Sequence, residues 1–136
     1  MRKKLLFLGC NNEQIPYLKE INRSEWKIIG TDLNNNAPGR FLCDEFYEIR
    51  YDDLNGLINI GINENFNKFD KVFTAASQFA QKGASHFSKF FGINFPSEET
   101  IDVCLNKSLF YKSFKESNIS IPKTYFITNQ DELNLE

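Results

Sequence analysis

Cysteine is scarce, and its count is odd. Cys10, Cys43 and Cys104 show no CxxC spacing, which excludes a disulfide framework and a thiolate metal site and leaves buried or partly buried thiols as the expectation. Positive charge is not in excess either. The 16 Lys and Arg stand against 18 Asp and Glu, a formal net charge of -2, so no broad basic field exists to grip a nucleic acid backbone. Long apolar runs are missing: residues 5–8, behind Arg2, Lys3 and Lys4, are too few to cross a bilayer or to form a signal-peptide core. The expectation is a cytoplasmic protein with neither a nucleic acid nor a membrane partner. The single histidine, His86, lies between Ala84 and Phe87 with no acid, base or metal arrangement beside it, so it reads as structural.

What is present suits a packed domain. Of 136 residues, 41% are hydrophobic and 15% aromatic, Phe alone supplying 14, enough apolar material for a core without a covalent staple. The apolar run at residues 5–8 ends at Gly9, the pattern of a central strand covered on both faces. Ile15, Leu18 and Ile21 then recur at helical spacing, with Pro16 placing the helix start near Ile15. Ile28 and Ile29, followed by Phe46, Tyr47 and Ile49, then Val72 and Phe73, predict three further strands. Leu54, Leu57, Ile58 and Ile62 mark one intervening helix. Phe79, Ala80, Gly83, Ala84, Phe87, Phe90 and Phe91 mark another, with Gly83 permitting close approach. Residues 93–96 read as a fifth short strand or an extended turn. Ser97 is placed to cap a helix that buries Ile101, Cys104 and Leu105, and a last helix runs from about Lys107 to Glu116 on Leu109, Phe110 and Phe114. Extended structure is expected at residues 119–127, and DELNLE reads as a frayed end or the beginning of a missing domain.

This alternation predicts a doubly wound α/β domain: a mostly parallel sheet of about five strands with helices on both faces, Rossmann-like. Such a fold gathers residues 9–14, 31–36 and 74–78 at the carboxyl edge of the sheet, where ligands bind. With only one glycine, the first loop is a poor dinucleotide fingerprint. It can cradle a carboxylate or phosphate on backbone amides, or simply turn the chain. Asp32, 23 positions after Gly9, suits ribose recognition or the capping of a turn or helix. Thr74 and Ser77 offer hydroxyls to a ligand or to the next helix. Asp44 and Glu45 point apart on an extended segment, and Asp52, Asp53 and Glu64 serve helix ends or the solvated face.

Four segments resemble the amino-terminal portion of ATP-grasp ligases, especially proteins similar to the large chain of carbamoyl-phosphate synthase. They are KKLLFLGCNNEQ, KIIGTDLNNNAPGRFLCDEFYEI, KVFTAASQFA and GINFPSEETIDVCLNKSLFYKSFKESNISIPKTY. The resemblance implies a preliminary α/β domain over residues 1–104, then a linker and the start of a truncated ATP-grasp domain over 105–136. It implies a ligase that activates a carboxylate with ATP, through an acyl-phosphate, for attack by an amine or ammonia. Gly9, Asn11, Asn12, Asp32 and Ser77 then fall on the substrate side, and Lys107 on ATP phosphate. ATP and Mg2+ are the cofactors implied for the full-length parent, with none bound tightly by this piece, which on its own is expected to be inactive. The implied partners are a small carboxylate, the following ATP-grasp domain and, in a homodimer, a second copy. The first turn, GCNN, is poorer in glycine than its relatives, and the sequence stops before the phosphate-covering strands and acidic magnesium ligands. A non-catalytic small-molecule or nucleotide-binding module is the alternative.

Overall fold

A computed structural model describes residues 2–123 together with Tyr125 and Ile127; the DELNLE segment and Phe126 lie outside the described residues. Four strands form one sheet: β1 (Lys3–Leu8), β2 (Trp26–Asp32), β3 (Glu45–Glu48) and β4 (Lys71–Thr74). Their order is β3-β2-β1-β4 and every neighbouring pair is parallel. Five helices accompany them among the described residues: α1 (Ile15–Glu20), α2 (Leu54–Asn63), α3 (Ala80–Phe91), α4 (Glu98–Leu105) and α5 (Lys107–Glu116). A 3-10 turn covers Pro38–Leu42. The expected α/β class and both-face covering are as observed. Four strands replace about five, because residues 93–96 join no ladder. The backbone there is fixed from outside: Ile93 donates its N–H to the Ser88 carbonyl, and the Ser85 hydroxyl donates to the Pro96 carbonyl.

Alternation along β1 divides the core. Leu6 and Leu8, with Ile29 and Val72, face α2 and α3, where Leu57, Ile58, Ile60, Ala80, Ala84 and Phe87 complete one cluster. Leu5 and Phe7, with Ile28, face the other way, onto Leu18 of α1 and Ala37 before the 3-10 turn. Helix α3 packs closely on α2 and the turn before it because Gly83 carries no side chain: a β-carbon there would drive into the Tyr51 carbonyl and crowd Leu57 of α2. Phe66 meets Phe87 edge to face at 5.0 Å, and Phe91 lies 4.6 Å from Phe87, so three rings close that layer. Two phenylalanines assigned to the same stripe do not join it. Phe79 is 78% and Phe90 59% exposed, the first because it precedes the helix and the second because it falls on the outer side.

Two compact units divide the chain, Met1–Ile101 and Asp102–Glu136. In the first, α4 begins with Ser97 accepting the Thr100 N–H, as its sequence position predicts, and Ile101 is buried. In the second, Asn106 caps α5 by accepting the Ser108 and Leu109 N–H groups, and Phe110 stacks on Phe114 at 4.2 Å. Cys104 is exposed rather than buried, since α4 buries only Ile101. Among the described residues no helix is long and apolar enough to cross a membrane.

Candidate functional site at the carboxyl edge of the sheet

Parallel register brings the strand ends into line. Leu8 of β1 pairs with Thr31 of β2 on one side and Thr74 of β4 on the other. The loops that leave them therefore share one rim. The chain runs from β1 to β2 in one direction and reaches β4 on the opposite flank, so the switch point lies between the loops after β1 and β4, the crevice position in open α/β sheets.

Gly9 turns the first loop with φ +96°, a conformation that strains any residue with a β-carbon. Its N–H donates to the Thr31 carbonyl at 2.8 Å. Asp32, 4% exposed, then fixes the loops that leave β1 and β2: one carboxylate oxygen accepts the Cys10 N–H at 2.8 Å and the other accepts the Asn34 N–H at 2.9 Å. Of the two readings open for Asp32, the turn-capping one is thus realised in the geometry, with each oxygen keeping further acceptor capacity. Gln14, 3% exposed, spans the switch point. Its Oε1 accepts the Asn11 N–H at 3.0 Å and its Nε2 donates to the Ala75 carbonyl at 2.9 Å, tying the first loop to the third.

These bonds use most of the donors that an anion cradle would need. Cys10 and Asn11 donate to side chains, while Gln14 and Ile15 donate back to Asn11 and Asn12, and Pro16 has no N–H. The side chains of Asn11 and Asn12 remain exposed. In the third loop Ala76 adopts φ +55° and Ser77 is half-buried. Neither Thr74 nor Ser77 caps α3, whose N-terminus has no side-chain cap. The helix starts at Ala80, beyond their reach. The Thr74 hydroxyl oxygen is instead buried with no hydrogen-bond partner among the described residues, an unmet polar group at the carboxyl end of β4.

Gly9, Asn11, Asn12, Asp32 and Ser77 accordingly occupy one rim, while Lys107, exposed at the first position of α5, belongs to the second unit. Sequence reasoning did not single out Gln14 as a strut or Thr74 as a buried orphan, because both roles depend on the pairing of β1 with β4. Among the described residues no group of three or more His, Cys, Asp or Glu side chains converges for a metal. His86 Nδ1 lies 3.2 Å from the Glu98 carboxylate in an exposed pair that links α3 to α4.

The chain matches no family model and no curated protein. Its fold does match solved structures of ligases. Phosphoribosylglycinamide synthetase from Anaerococcus prevotii aligns at 20% identity with a TM-score of 0.78, over 98% of this chain and 33% of that one. N5-carboxyaminoimidazole synthetase from Staphylococcus aureus, complexed with ADP, aligns at 14% identity with a TM-score of 0.71, over 98% and 35%. L-amino acid ligase from Bacillus licheniformis aligns at 13% identity with a TM-score of 0.68, over 97% and 40%. The chain thus spans 33% to 40% of the length of these neighbours, and its fold is that of the amino-terminal domains of ATP-grasp ligases.

Proposed function

We propose that this chain is the amino-terminal, substrate-side module of an ATP-dependent ligase that joins a carboxylate to an amine or ammonia through an acyl-phosphate. The observation that carries the reading is the rim itself: three loops of a parallel sheet, cross-tied by Gln14 and Asp32, in a fold shared along 98% of the chain with ligases. Asp32 holds the first loop, and the Asn11 and Asn12 amides, the Gly9 turn and the Ser77 hydroxyl meet the substrate. Lys107 contacts ATP phosphate in the parent, where an ammonium offsets polyphosphate charge. ATP and Mg2+ act with the following ATP-grasp domain of the same parent, and residues 1–104 form the preliminary domain. The segments quoted above, which resemble the large chain of carbamoyl-phosphate synthase, support a parent of that kind.

The test is steady-state ADP release by the parent protein across a panel of carboxylates and amines, with hydroxylamine added to capture acyl-phosphate as a hydroxamate. Carboxylate-dependent ADP release with hydroxamate formation supports the reading. Binding of small molecules without ADP release under any pairing supports the non-catalytic module instead.

A further inference from the structure

The fold brings together two thiols that lie 33 positions apart. Cys10 follows Gly9 in the first loop and is fully buried; Cys43 follows the 3-10 turn and is half-buried. Their sulfurs approach to 3.8 Å. Both pack against Gly30 of β2, where a β-carbon would sit inside contact distance of each sulfur, so the bare glycine is what leaves room for the pair. The surroundings distinguish the partners. Cys43 Sγ lies 3.5 Å from the Gly39 carbonyl, and the Arg23 guanidinium reaches the adjoining Leu42 carbonyl. Hydrogen bonding with Cys10 pulls the Cys43 thiol below its ordinary range, with Arg23 helping and burial and Asp44 opposing. The same contact, with burial and the nearby Cys43 and Asp32 charges, pushes Cys10 up. Cys104, by contrast, is exposed and belongs to the other unit.

We propose that Cys10 and Cys43 form a reversible disulfide site in which accessible Cys43 reacts first and buried Cys10 resolves it, with a small-molecule disulfide such as glutathione disulfide as the oxidant. The Cys43 thiolate attacks one sulfur of the oxidant, whose S–S bond breaks and releases one glutathione thiolate. Cys10 then attacks Cys43 Sγ, its proton passing to the second glutathione, which is expelled as the thiol. Two protein thiols and one small disulfide give one protein disulfide and two small thiols, with two electrons passing to the oxidant. Closure needs the sulfurs to move from 3.8 Å to about 2.05 Å, which side-chain rotation and a small shift of the 3-10 turn would have to supply. The Gly39 N–H already donates to the Cys10 carbonyl at 2.8 Å, so the crosslink would join two segments that are already neighbours.

The full chain, native by circular dichroism, is incubated with excess glutathione disulfide, alkylated, digested and analysed by mass spectrometry. The expected result is a Cys10–Cys43 crosslinked peptide, lighter by two hydrogens and restored by dithiothreitol. In the Cys10→Ser variant glutathione stays trapped on Cys43. In brief alkylation of the wild type Cys43 labels about tenfold faster than Cys10, as its thiolate character and exposure require. Modification of Cys104 alone, with Cys10 and Cys43 still alkylatable after unfolding, overturns the proposal. Stable glutathione on Cys43 of the wild type without ring closure overturns it as well.

Discussion

Asp32 illustrates how one carboxylate shapes the rim. Removing it in Asp32→Ala strands the buried Cys10 N–H, and because an unsatisfied buried donor costs about 1–3 kcal/mol, the unfolding free energy should fall by about 2–3 kcal/mol. Asp32→Asn, which keeps an amide oxygen for one of the two bonds, should lose less; urea unfolding of both variants decides it. Glu64 works at the edge of the sheet, where it accepts from Lys27 Nζ at 2.8 Å and Tyr47 Oη at 2.7 Å. Burial opposes its ionisation, but these two donors hold its carboxyl below the ordinary 4.5. Its contribution is therefore present above that pH and is lost as pH falls through the lower folded-state value. Glu64→Gln should cost about 1 kcal/mol near neutral pH, and the gap between variant and wild type should close on acidification below about pH 4. Tyr47 carries the opposite sign: its hydrogen bond to Glu64 and its burial push the phenol from 10.0 up to about 12, so that contribution fades only as pH rises through that value. The sequence shows Asp32 at the end of a strand and Cys10 after a glycine. It cannot show that Asp32 accepts the Cys10 amide or that Cys43 lies beside the Cys10 sulfur, because each depends on the β1–β2 pairing and the course of residues 38–43.

Helix α3 was the most legible element, its small and aromatic residues spaced every three or four positions. The structure returns that stripe with Phe87 fully buried, the ring central to the layer between α2 and the sheet. Phe87→Ala should lower stability by about 3–5 kcal/mol through lost burial and the cavity left among Phe66 and Phe91, measured by thermal or urea unfolding. Legibility failed where period and surroundings disagree. Residues 93–96 read as a short strand or an extended turn, and the choice depends on tertiary bonds, from the Ser88 carbonyl and Ser85 hydroxyl to their backbone, that the local pattern does not show. Thr74 and Ser77 look like caps, yet the third loop carries the chain two more residues past Ser77, Gln78 and Phe79, before α3 begins.

At the scale of the molecule, fold class follows from the alternation of strands and helices, and the shared rim follows from parallel pairing. The substrate does not, because the rim presents side-chain amides and hydroxyls that many small molecules could satisfy. In the parent protein Lys107→Ala should weaken ATP use by about tenfold while leaving the unfolding midpoint nearly unchanged, since an exposed lysine contributes little to stability. Equal ATP affinity and turnover in the variant would remove Lys107 from the phosphate site. On the proposed reading the chain by itself should give no sustained substrate-dependent ADP release, checked by a coupled assay at high protein concentration.

Strand order has a consequence for synthesis on the ribosome. The first of these four strands to emerge, β1, ends in the interior of the sheet, and its second neighbour, β4, spans Lys71–Thr74. Until Thr74 clears the exit tunnel, one side of β1 offers bare amides and carbonyls to any passing strand. The nascent chain therefore has an interval of vulnerability set by the length of its own coding order, and a chaperone or a slow stretch of translation would act there.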